Sequence, residues 1–255
     1  MAHVLNVSDL SKSYGRRNVL RGVTFALDAG QVYGVLGPNG SGKSTCLHSI
    51  AGVIDRDAGV VEVGGLSIDD VRSRLLYGFA PDDLPLIGAL TGREFLQLHD
   101  RLRGRNDFDR AVDLLVAFDL ERDLDLQIEG YSHGMKRKIQ LIAAVMHSPQ
   151  LLILDEPFRG LDPDAVIVLR QLIDTLVGDG KAVVVATHDM ARAERDCDQV
   201  IILDRGSVVA HGSPDGLVET FGRGKDLETA FLVITGREGE SQLKRQLITD
   251  AFERP

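Results

Sequence analysis

Apolar and polar positions change their spacing several times along the chain. Residues 4–7 alternate, residues 23–27 repeat that texture, and Tyr14-Gly15 between them reads as a turn, which predicts two strands. Residues 31–36 are apolar and β-rich and run into a Gly-rich turn, after which residues 44–50 read as a helix; residues 60–63 predict another strand ahead of Gly64-Gly65. The middle is different. Residues 91–103 and 108–120 carry a helical period, with Ala111, Leu114, Leu115 and Phe118 on one face and Asp and Arg on the other, and residues 132–146 predict a third helix begun by Ser132 or His133. Continuous apolar runs then return at 151–154 and 183–186, the pattern of strands covered on both faces of a parallel sheet. Between them Pro163 suits the first turn of a helix reaching about residue 176. Residues 200–203 and 207–210, separated by Gly206, predict a closing strand pair, and the polar, amphipathic tail from Arg237 predicts a peripheral helix or a partly ordered extension.

The pattern is therefore an α/β core with a helical lobe, residues 85–146, inserted into it. No internal repeat divides the 255 residues, and their 44% hydrophobic and 26% charged content is that of an ordinary globular chain. A formal net charge of -9 gives no support to nucleic-acid binding. No apolar run approaches the roughly 18 to 20 residues that span a bilayer. The N-terminus lacks a basic stretch followed by an apolar one, which argues against a secretory signal. Cys46 and Cys197 have no metal-like spacing and fit a reducing compartment, with Cys46 read as a packing residue.

Chemistry enters at Gly37, Pro38, Asn39, Gly40, Ser41, Gly42, Lys43, Ser44 and Thr45, which lie between a predicted strand and a predicted helix. Glycines allow the backbone to wrap phosphate oxygens, and the amides of a helix start supply donors and a favourable dipole. Lys43 can reach the β- and γ-phosphates, the Ser44 hydroxyl can ligate magnesium, and Thr45 can contact an inner phosphate. This loop predicts nucleotide binding but does not choose among ATPases, GTPases and kinases. The run 151–154 narrows the choice by delivering two acids: Asp155 suits magnesium, directly or through water, and Glu156 suits polarising the attacking water. His188, after the next apolar run, is placed to contact the γ-phosphate.

Together these segments resemble the ABC ATPase family over about residues 4–217, with the loop, the Asp155-Glu156 strand end and His188 standing for Walker A, Walker B and the switch histidine. Phe158-Arg159-Gly160-Leu161-Asp162-Pro163 resembles the D-loop, with Phe158 where the family often has a small polar residue and Asp162 implied to communicate between paired sites. Tyr131-Ser132-His133-Gly134-Met135 resembles the signature in the form common in exporter subunits. The resemblance implies that Ser132, His133 and Gly134 face a phosphate across a head-to-tail pair. Lys136, Arg137 and Lys138, next to it, read as solvated or partner-facing. Tyr14, otherwise a turn or packing aromatic, resembles the residue that stacks on adenine. The stretch from Tyr77 to Asp83 resembles the Q-loop, with Asp82 where the family has glutamine; it keeps an acceptor for magnesium or water and lacks the amide donor.

The resemblance implies a fold and a role: an ABC-type P-loop nucleotide-binding domain over residues 1–220, a C-terminal helical or partly ordered extension over 221–255, and ATP and Mg2+ as ligands. It implies an ATPase paired with a second ATP-binding subunit as a homodimer, driving export through a separate transmembrane permease from the cytoplasmic face of the membrane. The segments at 91–96 and 226–236 are similar to the drug- and antibiotic-exporter branch. The alternative is a non-transport ABC ATPase that remodels a soluble or nucleic-acid-containing complex; a third reading, an ATP-binding subunit that barely turns over, is opposed by the intact Lys43, Asp155, Glu156 and His188.

Overall fold

A computed structural model describes residues 3–82, 85–104 and 108–253. The chain opens with a long hairpin, β1 (Leu5–Tyr14) and β2 (Arg17–Leu27), so the two N-terminal strands run much further than their apolar cores and place Tyr14 directly opposite Arg17 at the tip. β3 (Val32–Leu36) leads through the Gly-rich loop into α1 (Lys43–Ile50), and β4 (Ala58–Val63) and β5 (Leu66–Ser67) complete an antiparallel sheet of order β2-β1-β4-β5.

A short strand absent from the sequence pattern, β6 (Tyr77–Ala80), pairs in parallel with β7 (Leu151–Asp155). Its four residues show too little period to register, and position 78 requires glycine because a Cβ there would come within 1.7 Å of the Ala144 carbonyl. Among the described residues three α-helices intervene between β6 and β7, with two short 3-10 turns between the second and the third. α2 (Gly92–Leu102) starts at a capping box in which Thr91 and Glu94 satisfy each other's backbone N–H. α3 (Asp109–Ala117) stops three residues short of the predicted end because Asp119 takes a left-handed φ of 51°. Phe118 and Leu120 are still buried beyond it. α4 (His133–Val145) is capped by the Ser132 hydroxyl accepting from the Met135 N–H.

After β7 come α5 (Pro163–Gly178), β8 (Ala182–Thr187), α6 (Met190–Asp196) and the antiparallel pair β9 (Gln199–Asp204) and β10 (Ser207–Gly212). The second sheet has order β10-β9-β3-β8-β7-β6, parallel except at β10. Its central strands are buried on both faces. Leu151, Ile153, Val184 and Ala186 join α1 and the first sheet, while Leu152, Leu154, Val183 and Val185 join α5 and the helical insertion. α7 (Pro214–Phe221) and α8 (Leu227–Ile234) follow, and Leu217, Leu227 and Phe231 pack with Leu36, Ala193, Val200 and Ile202. α9 (Glu238–Glu253) ends the described chain, with Leu243, Leu247, Ile248 and Phe252 exposed along it. Among the described residues no helix is long and apolar enough to cross a membrane.

Candidate active site

Parallel strands end on one side of the sheet, and the loops leaving β3, β7 and β8 meet there. Tyr14, Asn39, Gly40, Gly42, Lys43, Ser44, Thr45, Asp82, Asp155, Glu156 and His188 line a single cleft of roughly 670 Å3. Gly42, with φ 108° and only 2.9 Å between a built Cβ and Leu20 Cδ2, lets the loop turn into α1 against the hairpin. The buried Lys43 ammonium donates to the Gly37 carbonyl at 2.7 Å and the Pro38 carbonyl at 3.4 Å, which fixes it at the centre of its own loop. Burial lowers its pKa, and the nearby Glu156 and Asp155 charges pull it back up. Ser41 is buried within the loop.

Burial raises the Asp155 carboxyl above its ordinary range, against the opposing hydrogen bond from the Ser44 hydroxyl and the charge of His48; Asp82 and Glu156 push it further up. Asp155 Oδ1 is buried with no hydrogen-bond partner among the described residues. An orphaned carboxylate oxygen beside a serine hydroxyl is a donor pair that suits a hard cation such as Mg2+, which takes few protein ligands and completes its shell with phosphate and water. Glu156 sits at φ 45°, outside the usual range for its type, and its carboxylate is held by the Thr187 hydroxyl at 3.2 Å and by His188 Nδ1 at 2.7 Å. The strained turn aims the acid into the cleft, and the histidine fixes its rotamer. Half-exposed Tyr14 sits at the hairpin tip with the Lys12 ammonium 5.5 Å from its ring centroid.

Ser132, His133, Gly134 and Asp162 lie outside this cleft. Ser132 caps α4, and His133 and Gly134 pack beside Gly160 in the loop that follows Glu156. Asp162 caps α5 through the Ala165 N–H and pairs with Lys138 at 2.8 Å. Asp83 lies outside the described residues.

One expectation is corrected. Arg137 is not a solvated or partner-facing cation: its residue is only 3% exposed, and its guanidinium donates to the carbonyls of Pro81, Asp155 and Pro157. Lys138, paired with Asp162, is largely covered as well. A run of three basic residues at a helix start looks solvated, but at a helical pitch the middle one turns inward against β7. Arg17, Val19 and Arg159 also line the cleft unforeseen. Arg17 had a readable signal, its register opposite Tyr14 across a two-residue turn, whereas Arg159 sits in a loop where periodicity says nothing. Phe158, the odd residue of the D-loop segment, is partly buried and stacks under the Arg192 guanidinium at 4.1 Å. Cys46 is fully buried, which pushes its thiol up to about 12 and leaves it inert.

A strand, a phosphate-cradling loop capped by a lysine, and a strand-end carboxylate facing it define a P-loop nucleotide-binding protein. The ABC transporter family profile matches residues 20–159. The linearmycin resistance ATP-binding protein LnrL of Bacillus subtilis (strain 168) is 34% identical over 86% of this chain and 72% of its own length. The lipopolysaccharide export system ATP-binding protein LptB of Escherichia coli (strain K12) is 30% identical over 84% of this chain and 92% of its own. Among solved structures, an ATP-binding subunit of an ABC transporter superposes with a TM-score of 0.84 at 35% identity, covering 91% of this chain and 99% of that one. A dimeric ATP-binding cassette in a post-hydrolysis state with ADP and Pi superposes with a TM-score of 0.74 at 26% identity, covering 82% and 98%. The chain belongs to the ABC transporter ATP-binding family. It is an ATPase cassette of the transporter-associated kind, its relatives include export-system subunits, and cassettes of this fold form dimers.

Proposed function

We propose that this chain drives export of a substrate through a separate transmembrane permease, as one half of a homodimer on the cytoplasmic face of the membrane. In this reading residues 1–220 are the nucleotide-binding domain, with the helical lobe at 85–146, and residues 221–255 are an extension of it. ATP sits in the cleft with its adenine on Tyr14 and its phosphates in the loop 37–45, where Lys43 neutralises the terminal oxygens. Ser44, Asp155 and, through water, Asp82 hold Mg2+, which supplies charge neutralisation at the phosphates. Glu156 takes the proton of the attacking water, and His188 holds that carboxylate and faces the terminal phosphate. Ser132, His133 and Gly134 close the partner's site, which accounts for their place outside the chain's own cleft, and Asp162 links the two sites.

The observation that carries the permease reading is an apolar groove of about 550 Å3 on the chain's surface, lined by Val53, Val71, Leu75, Tyr77, Phe79, His99, Leu102 and Arg103. Val53, Val71, Leu75 and Leu102 are exposed, Leu102 at 76%, and large apolar side chains gathered on one open surface mark a protein contact. Tyr77 and Phe79 belong to β6, which ends two residues before Asp82, so a helix seated in the groove touches the strand that leads into the cleft. Leu102→Asp tests this. The side chain is exposed, so the purified variant should bind ATP as the parent does and lose its association with membranes; undiminished membrane association would count against the groove as the docking site.

A further inference from the structure

Asp82 and Arg159 reach the cleft from two separate parts of the chain. Asp82 follows β6, where the chain departs for the helical insertion, and Arg159 lies three residues after Glu156 in the loop leaving β7. Their side chains meet, Arg159 Nη1 donating to Asp82 Oδ2 at 2.8 Å, and both line the cleft. The two ends of the pair differ in freedom: the Asp82 side chain is 17% exposed and the Arg159 side chain 62%. The root of the arginine is tied to the acid, its backbone N–H donating to the Glu156 carbonyl at 3.2 Å.

The charges facing the cleft are Arg17, Lys43 and Arg159 against Asp82, Asp155 and Glu156. A triphosphate adds several negative charges beside three acids. Lys43 is fixed at the loop centre by two carbonyls, so it serves whichever phosphate lies over it. Arg159 is the cation beside the catalytic acid whose head is exposed, and Asp82 is the one partner of its guanidinium among the described residues. A guanidinium offers five N–H groups in a planar fork that suits phosphate oxygens, and one such group is in use here.

We propose that Arg159 is a second phosphate-binding cation of this site, held in reserve on Asp82 and shared with or passed to the terminal phosphate when ATP enters. This rests on the reading of the cleft as an ATP site. In the absence of nucleotide the pair ties the start of the helical insertion to the loop that bears Glu156. With a triphosphate competing for the guanidinium that tie loosens, so the terminal phosphate, which distinguishes ATP from ADP, becomes the signal the insertion feels. An ordinary exposed ion pair would have no such preference between nucleotides.

Equilibrium binding of ATP and ADP to the full chain tests the proposal. The background is Glu156→Gln, which blocks turnover, at a protein concentration where sedimentation shows one protomer. Arg159→Ala is expected to weaken ATP about tenfold and ADP less than about twofold, with Arg159→Lys recovering part of the loss. Asp82→Asn, measured in EDTA so that no metal ligand is forfeited, is expected to tighten ATP binding by releasing the guanidinium. Equal losses for ATP and ADP in Arg159→Ala, or no change in either, would overturn the phosphate role; unchanged ATP affinity in Asp82→Asn would overturn the reserve role of Asp82. A parent protein that binds neither nucleotide overturns the ATP reading itself, an outcome distinct from these.

Discussion

Replacing Arg137 by methionine separates a structural cation from a surface one. The side chain reaches from α4 to the carbonyls of Pro81, Asp155 and Pro157, with the Pro157 contact at 3.5 Å and the others shorter. Methionine keeps most of the unbranched stem and fits irregular space, so the cavity contribution is small. What is lost is a donor to three carbonyls. A buried acceptor left without a partner costs about 1–3 kcal/mol, and the weak contact to Pro157 contributes the least. Returning the guanidinium's desolvation offsets part of the sum, because a charge is no longer held out of water. The net expectation is a destabilisation of about 3 kcal/mol. For a chain of this size about 1 kcal/mol moves the melting temperature by about 2–4 °C, so Tm should fall by about 6–12 °C. Thermal unfolding of the purified, nucleotide-free protein followed by circular dichroism reads this directly. Since the same guanidinium holds the backbone of Asp155 and Pro81 in place, ATP turnover measured well below the new Tm should also fall by more than about tenfold. A Tm within about 2 °C of the parent, or higher, would show that the Arg137 guanidinium does not hold these carbonyls.

Glu156→Gln keeps the volume and an oxygen facing His188 but removes the base, so kcat should drop by about 10²- to 10⁴-fold while ATP affinity stays within about threefold. Normal turnover of the purified variant would remove Glu156 from the chemistry. Asp155 carries a pH signature. Burial holds its folded pKa above the unfolded value, so the folded state favours the proton, and stability is lost as pH rises through the raised pKa. Asp155→Asn should therefore melt at a higher temperature than the parent at neutral pH, with the gap closing in acid, while Mg2+-supported turnover disappears. A lower Tm at neutral pH would contradict the burial argument.

Much of this architecture is written in short-range pattern. The doubly buried strands 151–155 and 182–187 read as unbroken apolar runs because both faces are covered, and the helix after Pro163 announces its own start. The cleft's acids and lysine are legible because phosphate chemistry requires them next to strand ends and a helix start. What was hidden depends on tertiary contact. β6 is too short to show a period, and its Gly78 makes sense only against Ala144. Arg137 turns inward although its neighbours in sequence are basic, a fact of helical phase against β7 that composition does not encode. The Asp82–Arg159 pair joins residues 77 positions apart in two irregular segments, where no periodicity reports on proximity.

The measurement that bears most directly on the central claim is affinity capture of this chain from gently solubilised native membranes, with its stoichiometric partners identified. A protein with several membrane-spanning helices should be retained with the parent and lost with Leu102→Asp. Reproducible enrichment of a soluble complex with no such protein would contradict that claim.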